Sequence, residues 1–233
     1  MSGSDVRQQG QRRRGRNRLL VMAVVPAVLV AATVAGLRWK SERAGGTGDS
    51  GSAASFTVAR ADASATGRGH AYRVEVEDGS GLDPDKAAAE VARILAAPRG
   101  WSHHGENTFR QVAQGPAGLV VRIASPRTTD RICGKSGLDT HGEVNCRVGV
   151  DVMVNLKRWQ TGSPEFDGPL ADYRALIINH EVGHWLGHGH ETCPGAGRPA
   201  PAMMQQIYGL KGCVANAWPY DTNGRYLGGP SVP

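Results

Sequence analysis

An eleven-residue segment, His180-Glu-Val-Gly-His-Trp-Leu-Gly-His-Gly-His190, fits the pattern H-E-x-x-H-x-x-G-x-x-H. Histidines four positions apart share one face of a helix, so His180 and His184 can bind one ion at Zn–N distances of about 2.0–2.1 Å. Glu181 follows the first ligand, where a carboxylate can act as a base. Gly187 permits the backbone turn that ends the helix, and His190 then supplies a third ligand. The spacing predicts one Zn²⁺ ion held by three histidines, with Glu181 as the catalytic residue.

Three protein ligands leave one coordination position open, which is typical of a catalytic zinc rather than a structural one. Three imidazoles also suit Co, Ni or Cu, and zinc is the metal we expect first. His188 lies close to the motif but lacks the required spacing after Gly187, so we interpret it as a solvent-facing or supporting neighbour. The competing interpretation of the whole segment is a histidine-rich surface turn.

The extended motif resembles that of the metzincin zinc peptidases, in which a methionine turn lies below the metal. The resemblance implies that a methionine after the third histidine forms an apolar floor under the imidazoles. Met203 is the residue we expect there, and Met204 is the alternative. Some metzincins carry a tyrosine two residues after that methionine, which helps the transition state. This chain has Gln205 at that position, so Tyr208 inherits no such role.

The chain also looks like a group of membrane-anchored bacterial proteins of metzincin type, a likeness that covers most of residues 55–220. It is carried by the Pro98-Arg-Gly-Trp101 stretch, the motif helix, and Met203 to Gly212. The resemblance implies an α+β fold, a metzincin-like sandwich in which a mixed sheet packs on the active-site helix. It implies that a sheet edge beside the helix binds an extended substrate by strand addition. The sequence does not indicate which strand forms that edge.

Motif and resemblance together predict hydrolysis of a peptide or protein substrate, with Glu181 taking a proton from water and passing it to the leaving amine. Two interpretations from other classes stay open. One is a surface binding module that uses the zinc site without turnover. The other is an envelope structural protein in which zinc only stabilises the fold.

The first 55 residues predict a membrane anchor and a stalk. Residues 1–18 hold six arginines and one acid, and residues 19–37 carry no charge. As a helix, the uncharged stretch spans about 28 Å, and the arginines before it predict a cytoplasmic N-terminus. Residues 38–55 read as a flexible stalk and residues 56–233 as an extracellular zinc domain in a single-pass cell-membrane protein. A signal peptide cleaved near Val30-Ala-Ala is the alternative.

The charge distribution argues against nucleic acid as a partner. The formal net charge is +6, but residues 1–18 contribute most of it. The rest of the chain is nearly neutral, so no basic surface for DNA or RNA is predicted.

Four cysteines agree with an oxidising, extracellular setting. Three pairings are possible, and we expect nearest neighbours in sequence to pair, Cys133 with Cys146 and Cys193 with Cys213. Cysteines as zinc ligands are disfavoured because no C-x-x-C spacing occurs.

Hydrophobic periodicity and capping signals predict the elements that position the motif. They are strands over Ala71–Glu77, Leu119–Ala124 and Arg147–Leu156, a helix from the N-cap Asp83 to Ala97, and the active-site helix Pro169–Leu186. In the active-site helix Leu176, Ile177 and Ile178 should pack inward, and Trp101 should be a core residue.

Overall fold

The computed structural model describes residues 53–61 and 68–232. The predicted basic tail (1–18), the predicted anchor (19–37) and nearly all of the stalk lie outside these residues and stay predictions. Among the described residues, none of the helices combines the length and the apolar character that a membrane span requires.

The described part of the chain is a mixed α+β fold built on one six-stranded sheet. The strands are β1 (Phe56–Val58), β2 (His70–Glu77), β3 (Phe109–Gln111), β4 (Leu119–Ala124), β5 (Cys146–Val148) and β6 (Asp151–Asn155). The order is β1-β2-β4-β6-β5, with β3 pairing β2 as well. Strands β2, β4 and β6 are parallel, whereas β1 and β5 are antiparallel to their neighbours. The predicted α+β class and mixed sheet are therefore confirmed.

The sheet carries helices on both faces. The described residues contain four α-helices: α1 (Pro84–Leu95), α2 (Pro126–Gly134), α3 (Leu156–Thr161) and α4 (Leu170–Trp185). Alternate residues of β2 and β4, such as Val74 and Val121, join Ile94 of α1 and Ile178 of α4 in the main core. Helix α2 covers the other face, where Cys133 packs against residues of β4 and β6. The helix that carries the motif is thereby anchored on one face of the sheet.

Local signals located most elements within two residues. Asp83 caps α1 by accepting hydrogen bonds from the amides of Asp85 and Lys86, and Pro84 occupies the first helical position. The observed β4 has the predicted bounds. Trp101 is buried, as predicted, and its indole N–H donates to the Asn179 carbonyl at 2.7 Å.

The predicted single strand Arg147–Leu156 is wrong. Gly149 has φ +60° and turns the chain, so the segment forms a hairpin of β5 and β6. Val150, expected to alternate with the other valines, sits in this turn with 47% of its surface exposed. Leu156 begins α3, because the Asn155 side chain caps that helix on the Lys157 amide. Glycine reaches positive φ without steric penalty, which explains why the turn forms here.

Both predicted disulfides are confirmed. Cys133 pairs with Cys146, which joins the end of α2 to β5. Cys193 pairs with Cys213, which joins the two segments on either side of Met203 and Met204. All four cysteines are thus in bridges that close short loops around the motif region.

Candidate metal centre

Helix α4 carries two of the three predicted ligands and ends where the motif requires. Its last residue is Trp185, and the Gly187 amide donates to the His184 carbonyl. Gly187 then adopts φ +97°, a conformation that favours glycine. The His188 amide bonds back to the Gly183 carbonyl. This turn directs the chain so that His190 returns toward the two helix histidines.

The imidazoles of His180, His184 and His190 converge on one point. Their ligand nitrogens all lie within 4.8 Å of one another. The Nε2 atom of His184 is 3.1 Å from Nε2 of His180 and 3.1 Å from Nε2 of His190. Four-coordinate zinc with Zn–N of about 2.05 Å places its ligand atoms roughly 3.3 Å apart. The spacing of the three nitrogens fits a zinc ion between them.

Backbone carbonyls orient the two helix histidines. The Nδ1 atom of His180 is 2.9 Å from the Ala202 oxygen, and Nδ1 of His184 is 2.9 Å from the His188 oxygen. A carbonyl oxygen only accepts, so each Nδ1 carries the proton and each Nε2 of the neutral ring presents a lone pair. No proton therefore lies between the two Nε2 atoms, and their lone pairs repel unless a cation lies between them. This is the donor set and orientation that a metal ion needs.

The surroundings keep the three imidazoles neutral. Burial lowers the pKa of His180 to about 3, and the nearby His184 adds to this shift. Burial likewise lowers the pKa of His184 and of His190. Neutral imidazole is the form that ligates metals, so the ligand state prevails across the physiological pH range.

Glu181 lies in the same cavity as the triad. Its side chain is buried, and it lines a cavity of about 300 Å³ together with the three histidines. Burial raises its pKa to about 8, and the positive charge of Arg147 opposes this increase. A cation held by the triad would lower this pKa further by Coulomb attraction. The carboxyl group thus stands beside the converging nitrogens as a group able to accept and release a proton near neutral pH.

Met203 lies directly below the motif helix. It is fully buried, and its sulfur would be 2.3 Å from a Cβ atom placed on Gly183. Trp101 lies against the same glycine from the side, since its Cζ2 would be 2.8 Å from that Cβ. The adjacent Ala202 carbonyl is the partner of His180. The alternative, Met204, packs instead with the Cys213 cluster.

Buried amide side chains hold residues 200–206 in place, the segment around Met203 that we call the methionine turn. Gln206 is 1% exposed, and its Nε2 donates to the carbonyls of Pro201 and Asn216 at 3.1 and 2.7 Å. The Asn216 side chain in turn donates to the Ala200 carbonyl at 2.8 Å. These bonds, with the Cys193–Cys213 disulfide nearby, connect the turn to the segment that follows it.

The C-terminal segment fastens the third histidine. The Val232 amide donates to the His190 carbonyl at 3.0 Å. The carboxylate of Glu191 accepts the Tyr226 hydroxyl at 3.0 Å and the Gly229 amide at 3.1 Å. We call residues 226–232 the C-terminal strap. The strap thus bonds to the His190 carbonyl and to the side chain of the next residue, Glu191, so it helps to position the His190 ring.

Strand β5 and the loop before it form one wall of the cavity. The wall includes Leu138, Asn145 and Arg147, and Tyr208 lines the cavity as well. The loop is tied down by the Glu143 carboxylate, which forms ion pairs with Lys157 and Arg158. These ion pairs therefore hold the cavity wall in a fixed position beside the three histidines.

Sequence reasoning missed four features of the site: the clearance at Gly183, the position of Arg147, the lock by Gln206, and the C-terminal strap. Arg147 alone had a usable signal, because it alternates with the valines of its predicted strand and so faces the opposite side. Only the packing of the sheet shows that Arg147 points to the face that carries α4 and the cavity. His188 is exposed, as expected, and supports the site through its carbonyl oxygen and by stacking on Trp101 with ring centroids 4.3 Å apart.

No curated protein sequence and no solved structure matches this chain. A family model described as a protein of unknown function (DUF3152) matches residues 43–221, which includes the motif helix, the methionine turn and both disulfides. Because this match covers well over half of the 233 residues, the chain belongs to the DUF3152 family.

Proposed function

We propose that this protein is a zinc-dependent peptidase of metzincin type that acts outside the cell, anchored through residues 19–37. The observation that carries the proposal is the pair of Nε2 atoms of His180 and His184, 3.1 Å apart with both Nδ1 protons held by carbonyls. A cation between the two Nε2 atoms would remove the repulsion of their lone pairs. The Glu181 carboxyl group lies in the same cavity. Two disulfides agree with an oxidising compartment.

Zinc bound by the three imidazoles would supply Lewis-acid chemistry, activating a water molecule and polarising the scissile carbonyl. The step that the chain's own residues carry out is the proton transfer. Glu181 accepts the proton of the attacking water and donates it to the amine that leaves when the C–N bond breaks. Burial favours this role, since it raises the pKa of Glu181 and so makes the carboxylate a stronger base.

We expect the substrate to lie along β5. This strand is at the end of the sheet order, is antiparallel to β6, and contacts α4. Its free edge offers backbone donors and acceptors to an extended peptide beside the cavity that holds the triad. A carboxylate base facing this cavity distinguishes the proposal from a pure binding module or a structural zinc protein, since neither needs a base there.

The test compares Glu181→Gln and His184→Ala in the full chain. Glu181→Gln should retain one zinc per chain, because the ligands are intact, but lose hydrolysis of a broad peptide library by a factor of about 10² or more. His184→Ala should lose both metal and activity. His188→Ala is the matched control, because the side chain of this neighbouring histidine is not a predicted ligand. It should keep zinc. Zinc content is measured by mass spectrometry of the metal, and cleavage by peptide sequencing with and without chelator.

Cleavage by Glu181→Gln at the wild-type rate would contradict the assignment of the base. Stoichiometric zinc without any cleavage by the wild-type chain would favour the binding module. Melting of the domain on chelation, again without cleavage, would favour the structural protein. Zinc retained by His184→Ala would contradict the ligand set itself.

A further inference from the structure

Arg147 is a charged side chain on the cavity wall that the proton-transfer mechanism does not use. Along β5, Cys146 and Val148 pack into the small core on the α2 face of the sheet. Successive residues of a strand point to opposite faces, so Arg147 points to the α4 face. There it lines the cavity with Glu181 and the three histidines.

The Arg147 guanidinium is held in position but not neutralised. Its Nη1 donates to the Gly149 carbonyl at 2.9 Å, within the β5–β6 turn. In the described part of the chain, Arg147 forms no ion pair with a carboxylate, whereas Arg158 on the same wall pairs with Glu143. The guanidinium thus has donors left over and a charge with no direct counterion. Such a fork binds a carboxylate in two parallel hydrogen bonds.

The cavity lining itself has mixed charges, the guanidinium of Arg147 against the carboxyl groups of Glu181 and Asp139, so a bound cation would decide its preference for an anionic group. Asp139 is the other acidic residue of the lining besides Glu181, and its Oδ1 accepts from the His141 amide and faces the His141 ring at 3.1 Å. A cation on the triad would add positive charge to that of Arg147. The field at the cleft would then attract a negatively charged side chain of a bound peptide.

We infer that Arg147 is a specificity-determining residue that binds a carboxylate of the substrate, so that the chain selects peptides with Asp or Glu near the scissile bond. The position of the acidic residue relative to a scissile bond rests on the proposed peptidase function, whereas the binding of a carboxylate by Arg147 does not. The strand that offers its edge to the peptide is the strand that carries the guanidinium. A substrate paired with β5 therefore runs past Arg147.

The test measures binding without turnover. The full chain carrying Glu181→Gln is loaded with zinc. The substitution removes cleavage and also any effect of Arg147 on the charge of Glu181. Labelled peptides that place Glu or Gln at each successive position are titrated by fluorescence anisotropy. Glu peptides should bind about tenfold more tightly than Gln peptides at one or two positions, the ratio expected for one charge-assisted hydrogen-bonded pair. Adding Arg147→Gln should abolish that ratio, and Arg147→Lys should retain part of it.

Arg131→Gln is the matched control, because it removes one exposed positive charge from α2 on the other face of the sheet. It should leave the ratio unchanged, and near-UV circular dichroism checks that each variant is folded. Equal binding of Glu and Gln peptides, or an acid preference that survives Arg147→Gln, would overturn the inference. Cleavage by the wild-type chain without acid preference would support the proposed peptidase and contradict the inference. Acid-selective binding without any cleavage by the wild-type chain would support the inference and contradict the proposed peptidase.

Discussion

At the residue scale, Gly183 sets how closely the methionine turn approaches the helix that carries His180 and His184. It occupies the second variable position of H-E-x-x-H, on the face of α4 that meets Met203 and Trp101. A hydrogen in place of a side chain lets the sulfur and the indole lie against the helix backbone. The close packing of Met203 under the helix thus requires both the methionine and the absence of a side chain at Gly183.

Gly183→Ala should destabilise the fold by about 1–3 kcal/mol, the usual cost of overpacking a filled core. The added Cβ would meet Met203 and Trp101 at distances below 3.0 Å, which outweighs the gain in helix propensity of about 1 kcal/mol. Urea unfolding gives the free energy. Gly189→Ala is the control, because nothing lies within 4 Å of its added Cβ and the residue is exposed. Equal stability of the two variants would contradict the close packing described for Met203.

At the scale of elements, three separate segments converge on His190, the third of the proposed ligands. Helix α4 ends before Gly187, the methionine turn bonds through its Met203 carbonyl to the Glu191 amide, and the C-terminal strap bonds to His190 and Glu191. The strap begins beyond residue 221, where the family match ends. Because His190 lies on a loop rather than on a helix, its position depends on these partners.

Tyr226→Phe should weaken zinc binding by about tenfold, the lower end of the range for loss of a group that orients a ligand. The variant removes the hydroxyl that holds the Glu191 carboxylate and leaves the ring packing intact. Zinc affinity is measured by competition with a chromogenic chelator. Thr222→Ala, an exposed change in the turn before the strap, should have no effect. Unchanged affinity in Tyr226→Phe would mean that the strap does not position His190.

At the scale of the whole molecule, a buried acid connects the parallel strands on the face away from α4. Glu75 of β2 accepts from Arg73 at 2.7 Å and from Arg122 of β4 at 2.6 Å, and Arg122 also pairs with Asp151 of β6 at 2.7 Å. Burial by itself would raise the pKa of Glu75, but the hydrogen bonds from Arg122 and Arg73 outweigh it and lower the pKa. The network therefore connects the three central strands that support both layers of helices.

A carboxyl group whose pKa is lower in the folded state stabilises the fold above its unfolded pKa, and this contribution disappears as the pH falls through the folded value. Urea unfolding should thus show stability falling below about pH 4.5, and Glu75→Gln should flatten this dependence. At neutral pH the variant should lose about 1–3 kcal/mol, because two arginines lose a buried acceptor. Glu90→Gln, which breaks the surface pair with Arg93, should cost about 0.5 kcal/mol or less. A similar loss in both variants would contradict a special role for the strand network.

The amino-acid sequence by itself determined the parts of this protein whose signals are local. The spacing of His180, His184 and His190, the cap at Asp83 and the neighbouring cysteine pairs act over one turn of helix or one short loop. Their geometry follows from the periodicity of the backbone and from turn chemistry, so these elements could be predicted before the fold was known.

Only the tertiary structure decided which residues surround that motif. Arg147 reaches the cavity because a turn at Gly149 makes β5 an edge strand that folds back beside α4. Tyr226 reaches Glu191 across 35 positions of sequence. Contacts between distant segments depend on how the layers pack, and no local periodicity encodes that packing. The motif therefore predicts which residues are ligands, whereas the residues that line the cavity and hold His190 in place are determined by the tertiary packing.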